Sequence, residues 1–263
     1  MPLTEFQQSL LATFAHGEAD GSYLAGGAAI HFAPNTTRYS NDLDFFHDSV
    51  ERVASAFQRD LARAEKAGYR VRVEISQPGF IRAEVSQGGA STRVDWAHDS
   101  AWRFMPLVDV RGGVLLHPVD LAVNKVLALA GRDEPRDFVD ILFIHEHVLP
   151  LGAGCWAAAG KDPGFTPLSL LELLKRRGRF RSEEFARLLL TEPFDAIATK
   201  EKWLSALDTA GEFVRARPSA ELGCLYWSIR VEGFVMPRPD EPVGELLLPH
   251  FGRPGGVVPQ VTS

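Results

Sequence analysis

YLAGGAAI (residues 23–30) and RYSNDLDFF (residues 38–46) set the architecture expected of this 263-residue chain. The first reads as an apolar strand entering a glycine pair, then a helical turn of small residues that Pro34 and Asn35 stop. The second contains a short strand in which Asp42 and Asp44 share one face, about 6.6 Å apart at Cα, while Leu43 and Phe45 face the other way. Gly26 and Gly27 lack a Cβ, so their amides can approach phosphate oxygens closely, and Arg38 and Ser40 add a guanidinium and a hydroxyl.

Working outward, Thr4 and Gln7 form a capping box before an apolar helical stripe. Asp48 with Glu51 offers a helix start that runs to about Ala67, where Gly68 ends it. YRVRVEI (69–75), FIRAEVS (80–86) and STRVDWA (91–97) read as a strand meander. Asp95 lies in the third strand with Val94 and Trp96 at opposite parity, which makes it the natural third carboxylate beside Asp42 and Asp44. Residues 106–116 are short and extended around Gly112-Gly113, and helices follow over Pro118–Gly131 and about Pro135–His147.

A Gly/Pro-rich break is expected over 150–167, then helical patterns at 167–177, 181–190, 193–216 and 219–231 without a comparable strand run. The tail from Met236 is rich in proline and glycine and should wrap over the surface. The expected organisation is therefore a catalytic α/β (α+β) region at 1–149 with a mixed sheet, a mainly helical region at 150–235 and a tail at 236–263.

Composition narrows the function. Lys and Arg number 28 against 34 Asp and Glu, so a net charge of −6 disfavours an indiscriminate nucleic-acid coat but leaves room for a local basic patch. Lys175, Arg176, Arg177, Arg179 and Arg181 are that patch, partly offset by Glu172, Glu183 and Glu184. It suits an RNA backbone or simply a solvated helix end, and with Phe180 the one interleaved aromatic, base stacking has little support. Cys155 and Cys224 match no metal knuckle, and no basic region leads into an apolar export segment near Glu5, so a cytoplasmic location without membrane partners is expected. His145-Glu146-His147 has the wrong helical spacing for zinc, and neither a G-x-S-x-G turn nor a P-loop is present.

Three convergent acids opposite a glycine turn describe a site for a metal-bound triphosphate, with Asp42, Asp44 and Asp95 around Mg²⁺, or Mn²⁺ in its place. GGAAI (26–30), RYSNDLDFF (38–46) and HPVDLAVNKVLALAGRDEPRDFVDILFI (117–144) together resemble the AbiEii/AbiGii-type nucleotidyltransferase toxins of the DNA-polymerase-β-like superfamily. The resemblance spans about residues 20–145; Pro34-Asn35-Thr36-Thr37 departs from it, and Asp95 is matched by strand position alone. It implies that Gly26, Gly27, Ser40 and Lys125 hold the triphosphate and that Asp137 assists catalysis near nucleotide and acceptor; the alternative reading of Asp137 and Asp140 is structural pairing with Arg132 and Arg136, which suits Asp140 better. It further implies transfer of an NMP group from an NTP to a hydroxyl on tRNA or protein, and a cognate antitoxin. Two alternatives remain open: a nucleotidyltransferase acting on an aminoglycoside-like small molecule, and a catalytically silent NTP-binding module of the same fold.

Overall fold

The computed structural model describes residues 3–15, 21–32, 36–110, 112–238 and 240–260. The turn expected at Pro34 and Asn35 lies outside them. In chain order the elements are α1 (Glu5–Phe14), β1 (Tyr23–Ala25), α2 (Gly26–Ile30), β2 (Asp42–His47), α3 (Val50–Lys66), β3 (Arg70–Gln77), β4 (Phe80–Gln87), β5 (Ala90–His98), β6 (Trp102–Arg103), β7 (Val108–Val110) and β8 (Gly113–Leu115). Then come α4 (Pro118–Gly131), α5 (Pro135–His147), α6 (Leu151–Lys161), α7 (Pro167–Arg177), α8 (Ser182–Phe185), α9 (Ala196–Ala216), a 3₁₀ turn (Ser219–Glu221), β9 (Cys224–Ser228), β10 (Gly233–Val235), β11 (Leu247–Phe251) and β12 (Arg253–Pro254).

Two compact units result, the first from residues 1–101 and 107–117, the second from residues 102–106 and 118–263. The first holds a seven-stranded sheet in the order β3-β4-β5-β2-β1-β8-β7. It is mixed, because β2 pairs with β5 and β1 with β8 in parallel while the remaining pairs are antiparallel. Parity along β2 and β5 separates core from chemistry. Leu43, Phe45, Val94 and Trp96 are buried, and Phe45 and Trp96 pack with Phe14 of α1 and Phe57 of α3 at ring distances of 5.1–6.1 Å. Trp96 completes its bonding through Nε1 to Asp60 Oδ2 at 2.8 Å. The alternate residues Asp42, Asp44 and Asp95 therefore face away from this aromatic layer.

Local signals explain the framing helices. Thr4 and Gln7 form the reciprocal cap of α1, and the same Gln7 sends Nε2 to Ser40 O at 3.0 Å and to Thr92 Oγ1 at 3.2 Å, tying the helix to the entrances of β2 and β5. The N-cap of α3 is Ser49, which accepts from Arg52 N, rather than the expected Asp48. Gly68, at φ +83°, turns the chain out of the helix as expected.

The second unit corrects the reading most. The expected break over 150–167 contains α6, whose small residues Gly152, Ala153, Gly154 and Ala157 let it sink among its neighbours. A Cβ on Gly160 would lie 2.5 Å from Gly223 O, so this glycine serves close packing, not a linker. The chain divides near residue 118, not at 149/150. Residues 219–231, expected as helix, form the 3₁₀ turn and β9, and the tail supplies β11 to a β10-β9-β11 sheet. His250 of β11 bonds Phe104 O through Nε2 at 2.9 Å, which anchors a tail most of whose described residues lie at the surface as expected. The expected helix at 181–190 shrinks to the four residues of α8. Among the described residues no single helix is long and apolar enough to cross a membrane.

Candidate active site

The glycine pair and the acid strand meet as the spacing requires. Ala25 lies opposite Asp44 in the antiparallel β1–β2 register, so Gly26 follows beside the Asp44 carboxylate. Gly26 has φ +60°, and a Cβ there would stand 2.0 Å from Asp44 Oδ2. A Cβ on Gly27 would stand 2.5 Å from the Arg38 guanidinium and 3.3 Å from Ser40 Oγ. The two glycines thus form a bare-backbone cradle, one against an acid and the other against a cation and a hydroxyl. Ser40 in turn donates through Oγ to Asp42 O at 2.9 Å, and Arg38 donates through one terminal nitrogen to Tyr39 O at 3.0 Å.

The acids share a register and a face. Asp44 is directly paired with Asp95 across the parallel β2–β5 ladder, and Asp42 with Arg93. Here sequence reasoning missed two residues. Arg82 of β4 lies opposite Asp95 and grips it with both ends, Nε to Oδ1 at 2.8 Å and a terminal nitrogen to Oδ2 at 2.6 Å. Arg93 binds Asp42 Oδ2 at 2.7 Å. The Arg82 guanidinium is held above its usual range first by its hydrogen bond to Asp95 and further by the charges of Asp95, Asp42 and Asp44, while its partial burial works the other way. One cation therefore senses all three acids.

This corrects the expected metal cluster. Carboxylate oxygens suit Mg²⁺ in their chemistry, and Asp42 with Asp44 retains the face-sharing spacing. Yet among the described residues no group of three His, Cys, Asp or Glu side chains is gathered to hold an ion, and Arg82 and Arg93 bind Asp95 and Asp42. Asp42 and Asp44 share one face of β2, and oxygen donors of that kind are chemically suited to a divalent ion.

Lys125 and Asp137 belong to the second unit and meet each other there. Lys125 Nζ lies 2.8 Å from Asp137 Oδ1 and 3.0 Å from Asp140 Oδ2, with all three side chains buried. Arg132 adds a bond from Nε to Asp137 Oδ2 at 2.6 Å. Burial pushes the Asp137 carboxyl up, but Lys125 and Arg132 together hold it below the ordinary carboxylate range. Asp140 thus has an ion pair with Lys125, in keeping with the structural role expected of it. His145 Nδ1 accepts from Leu151 N at 3.0 Å and His147 Nδ1 bonds Phe143 O at 2.9 Å, so both histidines serve the α5 terminus.

A mixed sheet with a glycine-bearing strand end beside an Asp-x-Asp strand, followed by a helical region, defines a nucleotidyltransferase of the DNA-polymerase-β-like class. The family model described as "Nucleotidyl transferase AbiEii toxin, Type IV TA system" matches residues 9–221, and the chain belongs to that family. No curated protein sequence matches the chain. Among solved structures it is similar to JHP933 from Helicobacter pylori, with a TM-score of 0.52 and 15% identity over 81% of this chain and 95% of that one. It is also similar to MenT4, a nucleotidyltransferase toxin from Mycobacterium tuberculosis, with a TM-score of 0.51 and 13% identity over 81% of this chain and 84% of that one. At such identities the likeness is one of fold.

Proposed function

We propose that the first unit binds an NTP and transfers its nucleoside monophosphate to an acceptor hydroxyl on tRNA or protein. The acceptor oxygen forms a bond to the α-phosphorus, the bond from that phosphorus to the α–β bridging oxygen breaks, and pyrophosphate leaves with the electron pair. The observation that carries this reading is the Gly26–Gly27 cradle, where any side chain would strike Asp44, Arg38 or Ser40. Backbone amides there, with Arg38 and Ser40, supply donors for phosphate oxygens. Asp42 and Asp44 would hold Mg²⁺, which when bound offsets the charge of the triphosphate.

Asp95 is the carboxylate assigned to the acceptor proton. Each of its oxygens gives one lone pair to Arg82 and keeps another, so the arginine orients the group without exhausting it. The roles implied for Lys125 and Asp137 remain part of the proposal, and their support is the family resemblance.

A labelled NTP incubated separately with total tRNA, with protein and with an aminoglycoside tests this. Label should enter tRNA or protein, and Asp44→Asn should abolish it. Label on the aminoglycoside alone, or undiminished transfer by the variant, would overturn the reading. Mg²⁺-dependent NTP binding without any transfer would instead favour a silent module, a reading supported by the arginines on Asp42 and Asp95.

A further inference from the structure

The basic patch that the sequence leaves without a partner opens onto a cavity of about 530 Å³ within the second unit. Its wall is aromatic. Phe138, Phe180, Phe185, Phe194 and Trp203 line it, and they form one connected cluster: Phe138 lies 5.1 Å from Trp203 and 5.6 Å from Phe180 between ring centroids, and Phe185 stacks on Phe194 at 3.9 Å with planes 19° apart. Gly178 makes room for this, since a Cβ there would lie 2.4 Å from Trp203 Nε1. Its rim is cationic. Lys175, Arg179 and Lys200 line the same cavity and are exposed.

Several neighbouring charges are already paired, and among the described residues no Asp or Glu lines the cavity. Arg177 pairs with Asp133, and Lys202 with Glu146. Asp195 spends its carboxylate on the amides of Ile197 and Ala198, and Glu184 accepts from Arg181 N. The three rim cations have no ion pair among the described residues, so the mouth is left positive above an apolar, flat-walled interior.

We propose that this cavity binds single-stranded RNA by receiving one unpaired base against Phe180 and Phe194, with the flanking phosphates on Lys175, Arg179 and Lys200. A planar ring needs a π-face, and Phe180 and Phe194 are the half-buried rings that offer one. A phosphate on either side of that base needs cations at the mouth, which an uncharged aromatic ligand would not. The volume fits a nucleotide-sized group, within the usual range for ligand cavities. Sequence alone left base stacking with little support because only Phe180 interleaves with the patch; the other rings arrive from α5, α8, α9 and the segment before α9. Binding here stands apart from catalysis; only its use to present an acceptor rests on the transfer reading above.

The experiment is fluorescence anisotropy of a labelled single-stranded RNA dodecamer against the full chain, without NTP. The triple variant Lys175→Gln/Arg179→Gln/Lys200→Gln should weaken binding and lower the log–log salt slope by about two, the share of three contacts on a single strand. Phe194→Leu should weaken binding about fivefold or more with the salt slope unchanged. Thermal melts establish that each variant remains folded, and Phe180→Leu provides a second aromatic test should Phe194→Leu unfold. A blunt-ended duplex of the same sequence should bind more weakly than the single strand. Equal binding of duplex and single strand, no effect of either folded leucine variant, or preferential capture of an acidic phosphopeptide would overturn the proposal. Because no turnover is measured, loss of RNA binding and loss of transfer are read independently.

Discussion

Gly26→Ala isolates the cradle from the rest of the fold. The new methyl would stand 2.0 Å from Asp44 Oδ2, and an ordinary contact of about 3.4 Å requires the carboxylate to retreat by about 1.4 Å. The backbone cannot relieve this cheaply, because Gly26 sits at φ +60° and alanine pays about 1–2 kcal/mol there. Misplacement of a reacting group by about 1 Å costs on the order of 100-fold in rate. NMP transfer should therefore fall at least about 100-fold, while the melting temperature drops by only about 2–8 °C for a chain of this size. Label transfer and a thermal melt on the same preparation read the two effects. In an Asp44→Asn background, whose residual rate is already minimal, the alanine should add little. A folded Gly26→Ala protein with wild-type turnover would refute the assignment of the Gly26–Asp44 contact to catalysis.

Three further outcomes follow from the geometry. Lys125→Met removes the ammonium from between the buried carboxylates of Asp137 and Asp140, at a cost of about 3–5 kcal/mol; since Asp137 is held below its ordinary value, the stability it contributes is present above about pH 4 and is lost on acidification, so the deficit should shrink at low pH. An unchanged melting temperature at neutral pH would count against that. Asp120 behaves oppositely: burial pushes it up to about 6 from 3.8, despite the amides of Phe104 and Met105, so the folded state holds the extra proton between those values and stability falls as pH rises through them, by about 3 kcal/mol in all. Urea unfolding across pH 4–7 should show the wild type losing ground to Asp120→Asn as pH rises; a widening advantage would reverse the sign. Arg82→Gln releases both Asp95 oxygens and should lower the Mg²⁺ concentration needed for half-maximal NTP binding, measured calorimetrically, and an unchanged requirement would mean that Arg82 does not govern the acids.

How much of this was legible depended on the range of the signal. The α1 cap, the meander and the α4–α5 pair rest on local chemistry, such as Thr4 with Gln7 and the turn glycines, and these elements stand where the residues indicate. The α6 segment failed for the opposite reason. Gly152, Gly154 and Gly160 read as linker residues one at a time, yet the helix is buried because their missing side chains admit Met236, Val126 and Gly223, partners distant in sequence. Strand β9 was hidden likewise: it pairs with β10 and β11, whose proline-rich surroundings resemble a mobile tail until all three are side by side.

The site was half legible, and the missing half was within reach of the same rule that found the acids. Parity placed Asp42 and Asp44 on one face, but it places Arg93 with Asp95 just as firmly. The Gly88-Gly89 turn pairs Gln87 with Ala90, and counting back along the hairpin from that pair brings Arg82 opposite Asp95. Reading only the carboxylates suggested a metal cage; reading every charge at that parity across β2, β4 and β5 yields four acids, Asp42, Asp44, Glu84 and Asp95, with Arg82 and Arg93, and brings Arg72 of β3 opposite Glu84. A face so composed is nearly neutral before any ligand arrives, which lowers the cost of keeping the carboxylates close together. It also means that a divalent ion must compete with guanidinium for Asp42 and Asp95. The proposed chemistry therefore joins the Gly26–Asp44 approach, which a single methyl would disturb, to Asp42 and Asp95, brought into play through the arginines that hold them.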